Sequence, residues 1–178
     1  MKNLRLFLIL TLTVITNSIF SQEYSKKVLL KSGEFTPKSK INLSFINTEL
    51  VNGNFYRFMQ FSEIPSETEK NILVENGIQF LEYIPYNTYL VSVSSNFTAI
   101  DKLKEYNVVS LQRILPKQKI DPKLQNGKCP EWALNKNMVS IKVLLYKNIS
   151  MDFILNDITQ KRYSILETNI TAQNIVLN

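Results

Sequence analysis

Residues 55–115, FYRFMQFSEIPSETEKNILVENGIQFLEYIPYNTYLVSVSSNFTAIDKLKEYNVVSLQRIL, decide the fold. Asn54 to Phe61 is rich in aromatics and suits a pleated strand. Ser66 follows Pro65 and precedes Glu69 by three residues, the spacing of a capping box. Ile72 and Leu73 give that helix apolar positions up to Asn76, and Gly77 stands where a C-cap glycine belongs. Ile78 to Ile84 predicts a second strand, Pro85 to Asn87 a turn, and Thr88 to Val93 a third strand. Ser95 or Asn96 can cap a second helix with Phe97, Ile100, Leu103 and Lys104 at helical spacing. Val108 to Leu115 is a fourth strand, closed by Pro116. The order β-α-β-β-α-β predicts an α+β, ferredoxin-like domain over residues 54–116.

Outward from that stretch, residues 1–21 have the form of a signal peptide. Lys2 and Arg5 make a basic start, Leu6 to Ile15 is apolar, and small residues precede a cut between Ser21 and Gln22. The apolar run is too short to span a bilayer comfortably, although an uncleaved anchor is the alternative. The mature chain is expected to be secreted or periplasmic, with no membrane association once the signal is removed. Losing Lys2 and Arg5 also lowers the formal net charge of +6 by two.

Residues 22–53 are polar and read as an N-terminal extension, with Val28 to Lys31 a candidate strand and Gly33 to Pro37 a turn. Residues 117–137 read as a linker. The stretch from Pro116 to Asn137 carries five lysines against Asp121 and Glu131. That places much of the basic excess on a solvated connection rather than on a folded face, so no nucleic-acid partner is expected. Trp132 is expected to anchor the linker to a folded unit.

The pattern then restarts. Met138 to Tyr146 reads as a strand, and Ser150 can cap a helix carrying Phe153, Ile154, Asp157 and Ile158. Tyr163 to Thr168 and Asn174 to Leu177 read as strands. Residues 138–178 are expected to form a second, incomplete βαββ unit, and the chain to be the front part, or a fragment, of a longer protein.

The composition excludes most catalytic devices. With no histidine in the sequence there is no Ser-His-Asp triad and no two-histidine zinc helix. One cysteine, Cys129, excludes a four-cysteine metal site and an internal disulfide. Glu63, Glu67, Glu69 and Glu75 surround the first helix, where solvated charge is the ordinary explanation. The expectation is a non-enzyme with no catalytic residue, no metal and no cofactor. Asn42, Asn96, Asn148 and Asn169 stand in glycan-acceptor triplets, which matter only in a eukaryotic secretory route.

Binding chemistry is suggested by poor alternation in the strands. A sheet with helices on one face is normally polar on the other. Here Tyr56 and Phe58 oppose Phe55, Arg57, Met59 and Phe61, and Tyr89, Val91 and Val93 oppose Leu90. Two apolar faces imply either a docking surface or a cover supplied by residues 22–53 or by the second unit. Arg57, Met59, Leu81, Tyr83 and Leu90 are the candidate partner-binding residues of an open face.

Three segments carry a family resemblance: Phe55-Tyr56-Arg57-Phe58-Met59-Gln60-Phe61, Asn76-Gly77-Ile78, and Tyr83-Ile84-Pro85-Tyr86-Asn87-Thr88-Tyr89-Leu90-Val91. Together they resemble the N-terminal propeptide region of secreted subtilisin-like serine peptidases, without the catalytic domain. Asp121-Pro122-Lys123-Leu124 and Pro130-Glu131-Trp132 resemble a connector to a second such unit in some bacterial members. The resemblance implies a ferredoxin-like fold whose open sheet face packs on a subtilisin-like peptidase domain, in cis or in trans, as folding chaperone and temporary inhibitor. The competing readings are an exported adhesin or envelope interaction domain and an RNA-binding domain with the same strand order. The third strand lacks the basic-glycine-aromatic signature of the latter.

Overall fold

The computed structural model describes residues 27–41, 46–135 and 138–177. The expected signal segment, with Ser21 and Gln22, lies outside the described residues. Elsewhere the chain is mixed α and β, with several antiparallel sheets and five α-helices among the described residues.

A hairpin of β1 (Val28–Leu30) and β2 (Gly33–Phe35) comes first. It is followed by β3 (Asn54–Phe61), α1 (Glu67–Glu75), β4 (Ile78–Ile84), β5 (Thr88–Ser94), α2 (Ile100–Glu105) and β6 (Val108–Arg113). Two short helices, α3 (Pro116–Lys119) and α4 (Pro122–Gln125), and the strands β7 (Leu134–Asn135) and β8 (Met138–Val139) lead onward. The last elements are β9 (Ile141–Leu144), α5 (Met151–Gln160), β10 (Ile165–Asn169) and β11 (Asn174–Leu177).

The larger sheet has the order β4-β5-β3-β6, and every neighbouring pair is antiparallel. The smaller sheet has the order β10-β11-β9, again antiparallel throughout. Each sheet therefore places its third strand between its first and second, with a helix linking the first to the second. The smaller sheet repeats the connectivity of the larger one up to its third strand.

Local chemistry explains the element ends. Ser66 Oγ accepts from the Glu69 N–H at 3.3 Å, and the Ser66 N–H donates back to Glu69 Oε2 at 2.7 Å, closing the capping box of α1. Gly77 ends that helix at φ +92°, a conformation that favours glycine, and a Cβ there would stand a tight 3.1 Å from Ser94 Cβ. Tyr86 and Asn87 both have positive φ, as the tight turn between β4 and β5 demands. Ser150 Oγ caps α5 by accepting from the Phe153 N–H at 3.3 Å.

The second helix departs from expectation. It begins at Ile100, and neither Ser95 nor Asn96 caps it. Ser94 instead holds a turn: its carbonyl accepts from the Phe97 N–H at 3.0 Å and its hydroxyl from the Asn96 N–H at 3.3 Å. That turn delivers Phe97 into the core from the loop. Trp132 departs too. It is 86% exposed, because the 3-10 turn at Glu131–Ala133 buries Ala133 instead.

Three apolar clusters hold these layers. Met59, Phe61, Val91 and Leu111 of the larger sheet pack under Leu73 of α1 and Leu103 of α2. Tyr56, Phe58, Leu81, Ile84 and Leu90, on the other face of the same sheet, pack against Val28 of the hairpin and Ile149. Met151 and Ile158 of α5 pack on Ile175 and Leu177 of the smaller sheet. Each fully buried side chain of this size contributes about 1.5–3 kcal/mol. The larger sheet is thus covered on both faces, which is why β3 is buried from Phe55 to Phe61 and shows no polar alternation.

Candidate functional site

The five residues expected on an open face do not share a face, and the far face is not open. Met59 belongs to the helix-side cluster, and backbone alternation puts Arg57 on that side as well. Tyr83 stands against Tyr89 of the same cluster, with ring centroids 5.2 Å apart. Leu81 and Leu90 lie on the opposite side, in the cluster sealed by the hairpin. All but Tyr83 are buried. A bulge in β4 between Phe80 and Glu82 adds one residue and reverses the alternation beyond it, which moves Tyr83 to the helix side; Arg57 and Met59 lie there because the helices cover that side of β3.

The cover comes from both ends of the chain. Val28, Leu30 and Phe35 of the hairpin meet Phe58, whose ring centroid is 5.6 Å from that of Phe35. The loop before α5 supplies Tyr146, Asn148 and Ile149. Tyr146 stacks on Tyr56 at 4.1 Å between centroids. The Tyr56 hydroxyl donates to Asn148 Oδ1 at 2.9 Å, and Asn148 Nδ2 donates to Ser92 Oγ at 2.9 Å. Asn148 is therefore consumed by this clamp, and a glycan on its amide would break it. Burial, reinforced by the neighbouring Tyr146 ring, pushes the Tyr56 hydroxyl up to about 12 against the pull of the Asn148 bond. Burial alone takes Tyr146 up to about 12.

A charged cluster lies on the other face of β3, next along the strand from Tyr56. Arg57 is 1% exposed and donates through Nη2 to Glu49 Oε2 at 2.9 Å and through Nη1 to the Tyr56 carbonyl at 2.8 Å. The other Glu49 oxygen takes Arg113. Burial pulls the Arg57 guanidinium below its ordinary value, and Glu49 opposes that pull. One carboxylate shared between two arginines makes a structural knot, since the guanidinium that reaches β3 has no path to solvent. A pocket of about 250 Å³ lies where Pro37 and Ser39 pass Gln60, Phe61, Val109 and Ser110. Its lining includes the hydroxyls of Ser39, Ser62 and Ser110 but no ionisable group, so no lining residue can act as the base that a serine nucleophile needs.

Among the described residues, a more exposed sheet face belongs to the smaller sheet, although Asn174 on that face is buried. Ile141, Val143, Ile165, Ile175 and Leu177 point toward α5. Alternation places Lys142, Leu144, Glu167 and Val176 on the opposite face. Leu144 is 74% exposed, and Leu166, at a bulge in β10, is 55% exposed. No sequence signal singled out these residues, because β9 and β10 are short and each is interrupted. Among the described residues, no group of three or more His, Cys, Asp or Glu side chains is placed to hold a metal ion. Among them, too, no helix is long and apolar enough to cross a membrane.

Comparison with known proteins adds one finding. A family model described as a domain of unknown function (DUF8729) matches residues 29–116. The matched segment begins in β1 and ends just after β6, so it takes in the covering hairpin together with the larger sheet and leaves out α5 and the smaller sheet. No curated protein and no solved structure matches the chain.

Proposed function

We propose that this chain is a non-catalytic, propeptide-type module of a secreted subtilisin-type serine peptidase, serving as folding chaperone and inhibitor of the peptidase domain. In this reading the larger sheet with α1 and α2 is a ferredoxin-like βαββαβ domain. Its support is the strand order β4-β5-β3-β6 with both helices packed in one cluster. The smaller sheet with α5 is read as a second unit of the same kind, on the support of its repeated connectivity.

The segments that carry the resemblance have structural work in this chain. Asn87 of the Tyr-Ile-Pro-x-Asn hairpin adopts φ +52°, and its Nδ2 donates to the Ser62 carbonyl at 3.1 Å. The Phe61 N–H donates to the Asn87 carbonyl at 2.9 Å. The motif thus ties the hairpin turn to the end of the aromatic strand, which links two of the three segments that carry the resemblance.

The observation that carries the docking part is the contrast between the sheets. The far face of the larger sheet is filled by the chain itself, whereas the smaller sheet presents the exposed Leu144 beside Lys142 and Glu167, with Val176 half-buried between them. Docking on the peptidase domain is assigned to this second face. The test is refolding of guanidinium-unfolded subtilisin-type domains encoded by the same genome, with and without the mature chain. Recovered activity rises and the recovered enzyme is slowed if the proposal holds. Unchanged recovery, unchanged rate and no complex on size exclusion would overturn it.

A further inference from the structure

Read from sequence, residues 117–137 are a solvated linker, but in the structure the start of that segment is built onto the N-terminal hairpin. Ser32 Oγ donates to the Gln118 carbonyl at 3.0 Å, and Lys31 Nζ pairs with Asp121 Oδ2 at 2.8 Å. Two stretches far apart in sequence thus make one surface beyond the far face of the larger sheet, where Val28, Leu30, Phe35 and Ile114 share a cluster. That surface is strongly basic. Residues 27–41 carry Lys27, Lys31, Lys38 and Lys40 against Glu34, residues 116–128 carry Lys117, Lys119, Lys123 and Lys128 against Asp121, and every one of these lysines is exposed. The two carboxylates are taken by Lys27 and Lys31, each at 2.8 Å. The remaining lysines of the surface have no acidic partner among the described residues. The helix side of the sheet has the opposite sign, with Glu63, Glu67, Glu69 and Glu75 on or before α1 against Lys70, while the charges of α2 balance. Apolar side chains are interleaved with the lysines and stand in solvent: Leu115, Ile120 and Leu124 are 44%, 39% and 39% exposed, and Trp132, next along the segment, 86%.

We propose that the hairpin and the segment after β6 together form a docking surface for an anionic phospholipid bilayer. The lysines lie at headgroup level, where their charge is complementary and their stems still cover apolar surface. Ile120, Leu124 and Trp132 enter the boundary between headgroups and acyl chains, the depth at which an amphipathic tryptophan ring is favoured. Lysines alone would suit any polyanion. The aliphatic side chains set among them decide for the bilayer, because a nucleic acid offers a stacking partner for Trp132 but no hydrocarbon for Leu115, Ile120 or Leu124. The attachment is peripheral and made by a folded surface, so the expectation of no membrane association after loss of the signal is set aside. It does not depend on the peptidase reading, which concerns the smaller sheet.

The experiment sediments a chain beginning at residue 22, which lacks the apolar run from Leu6 to Ile15, with vesicles of defined composition. Vesicles of phosphatidylcholine containing about 30% phosphatidylglycerol are expected to carry the chain down, and vesicles of phosphatidylcholine alone to leave it in solution. Binding is expected to fall about tenfold or more as salt rises from about 0.1 M to about 0.5 M. Trp132 is the only tryptophan in the sequence, so its emission reports the contact directly and is expected to shift to the blue. Lys119→Glu combined with Lys123→Glu, with the melting curve unchanged, is expected to weaken binding about tenfold or more. The same reversal at Lys104 and Lys142, outside this surface, is expected to leave binding largely intact. The proposal is overturned if the anionic vesicles do not bind, if neutral vesicles bind as well, or if the two double reversals weaken binding equally. It is also overturned if Trp132 emission is unchanged in the bound chain, or if duplex DNA displaces the chain from the vesicles at an equal concentration of phosphate.

Discussion

Glu49 is the residue on which one end of the larger sheet depends. It accepts from Arg57 and pairs with Arg113, and Arg57 is almost wholly buried. A buried charge robbed of its partner costs far more than the pair contributes. Glu49→Ala is therefore expected to lower stability by about 3 kcal/mol, whereas Arg57→Met combined with Glu49→Gln should restore most of it. Urea midpoints measure both, and equal losses for the two variants would contradict this reading. The stacked tyrosines make a second prediction. Tyr56 and Tyr146 are both pushed up to about 12, above the ordinary value of 10.0. The folded state thus keeps protons that the unfolded state releases, and stability falls as pH rises from about 10 to about 12. Phenolate absorbance in the folded chain should show two late-titrating tyrosines, and Tyr146→Phe should leave one.

At the scale of elements, the sequence was most legible where caps and turns carry the signal. Ser66 with Glu69, Gly77, and the Pro85–Asn87 turn bracket α1, β4 and β5 as they occur. These signals act within a few residues, so they survive without tertiary knowledge. The bulge in β4 left no such mark. Leu81 and Glu82 both oppose Leu90, and alternation counted straight through Phe80 puts Tyr83 on the wrong face. The candidate site failed on that one inserted residue, and on the choice of which side of β3 the helices cover. Two-sided burial was legible in the lack of alternation. The identity of the cover was not, because Val28, Tyr146 and Ile149 come from segments far apart in sequence. The hairpin's role yields a prediction of its own. A chain beginning at residue 37 loses Val28, Leu30 and Phe35, leaving Phe58 and Leu90 with only the Tyr146–Ile149 part of their cover. It is expected to lose about 3 kcal/mol or more and to bind a hydrophobic dye. A melting curve and dye titration unchanged from the longer chain would show that the hairpin covers nothing.

At the scale of the whole molecule, the larger sheet is the middle of a sandwich. Helices α1 and α2 close one face, and the N-terminal hairpin with the Tyr146–Ile149 loop closes the other. Its β6 edge is covered as well. The Leu111 N–H donates to the Lys40 carbonyl at 3.3 Å, and Gln112 Nε2 donates to the Lys38 carbonyl at 2.9 Å. Both faces and the β6 edge of this sheet are taken, which leaves it the outer edge of β4. Among the described residues, the smaller sheet has a more exposed face and outer edges at β9 and β10 that no strand pairs. The most direct test is hydrogen exchange of a chain beginning at residue 22, bound to a subtilisin-type peptidase domain. The account predicts protection of residues 141–144 and 174–177, with the amides of β3 and β5 unchanged. Release of residues 28–35 and 146–149, with the peptidase shielding the face that carries Phe58 and Leu90, would contradict it.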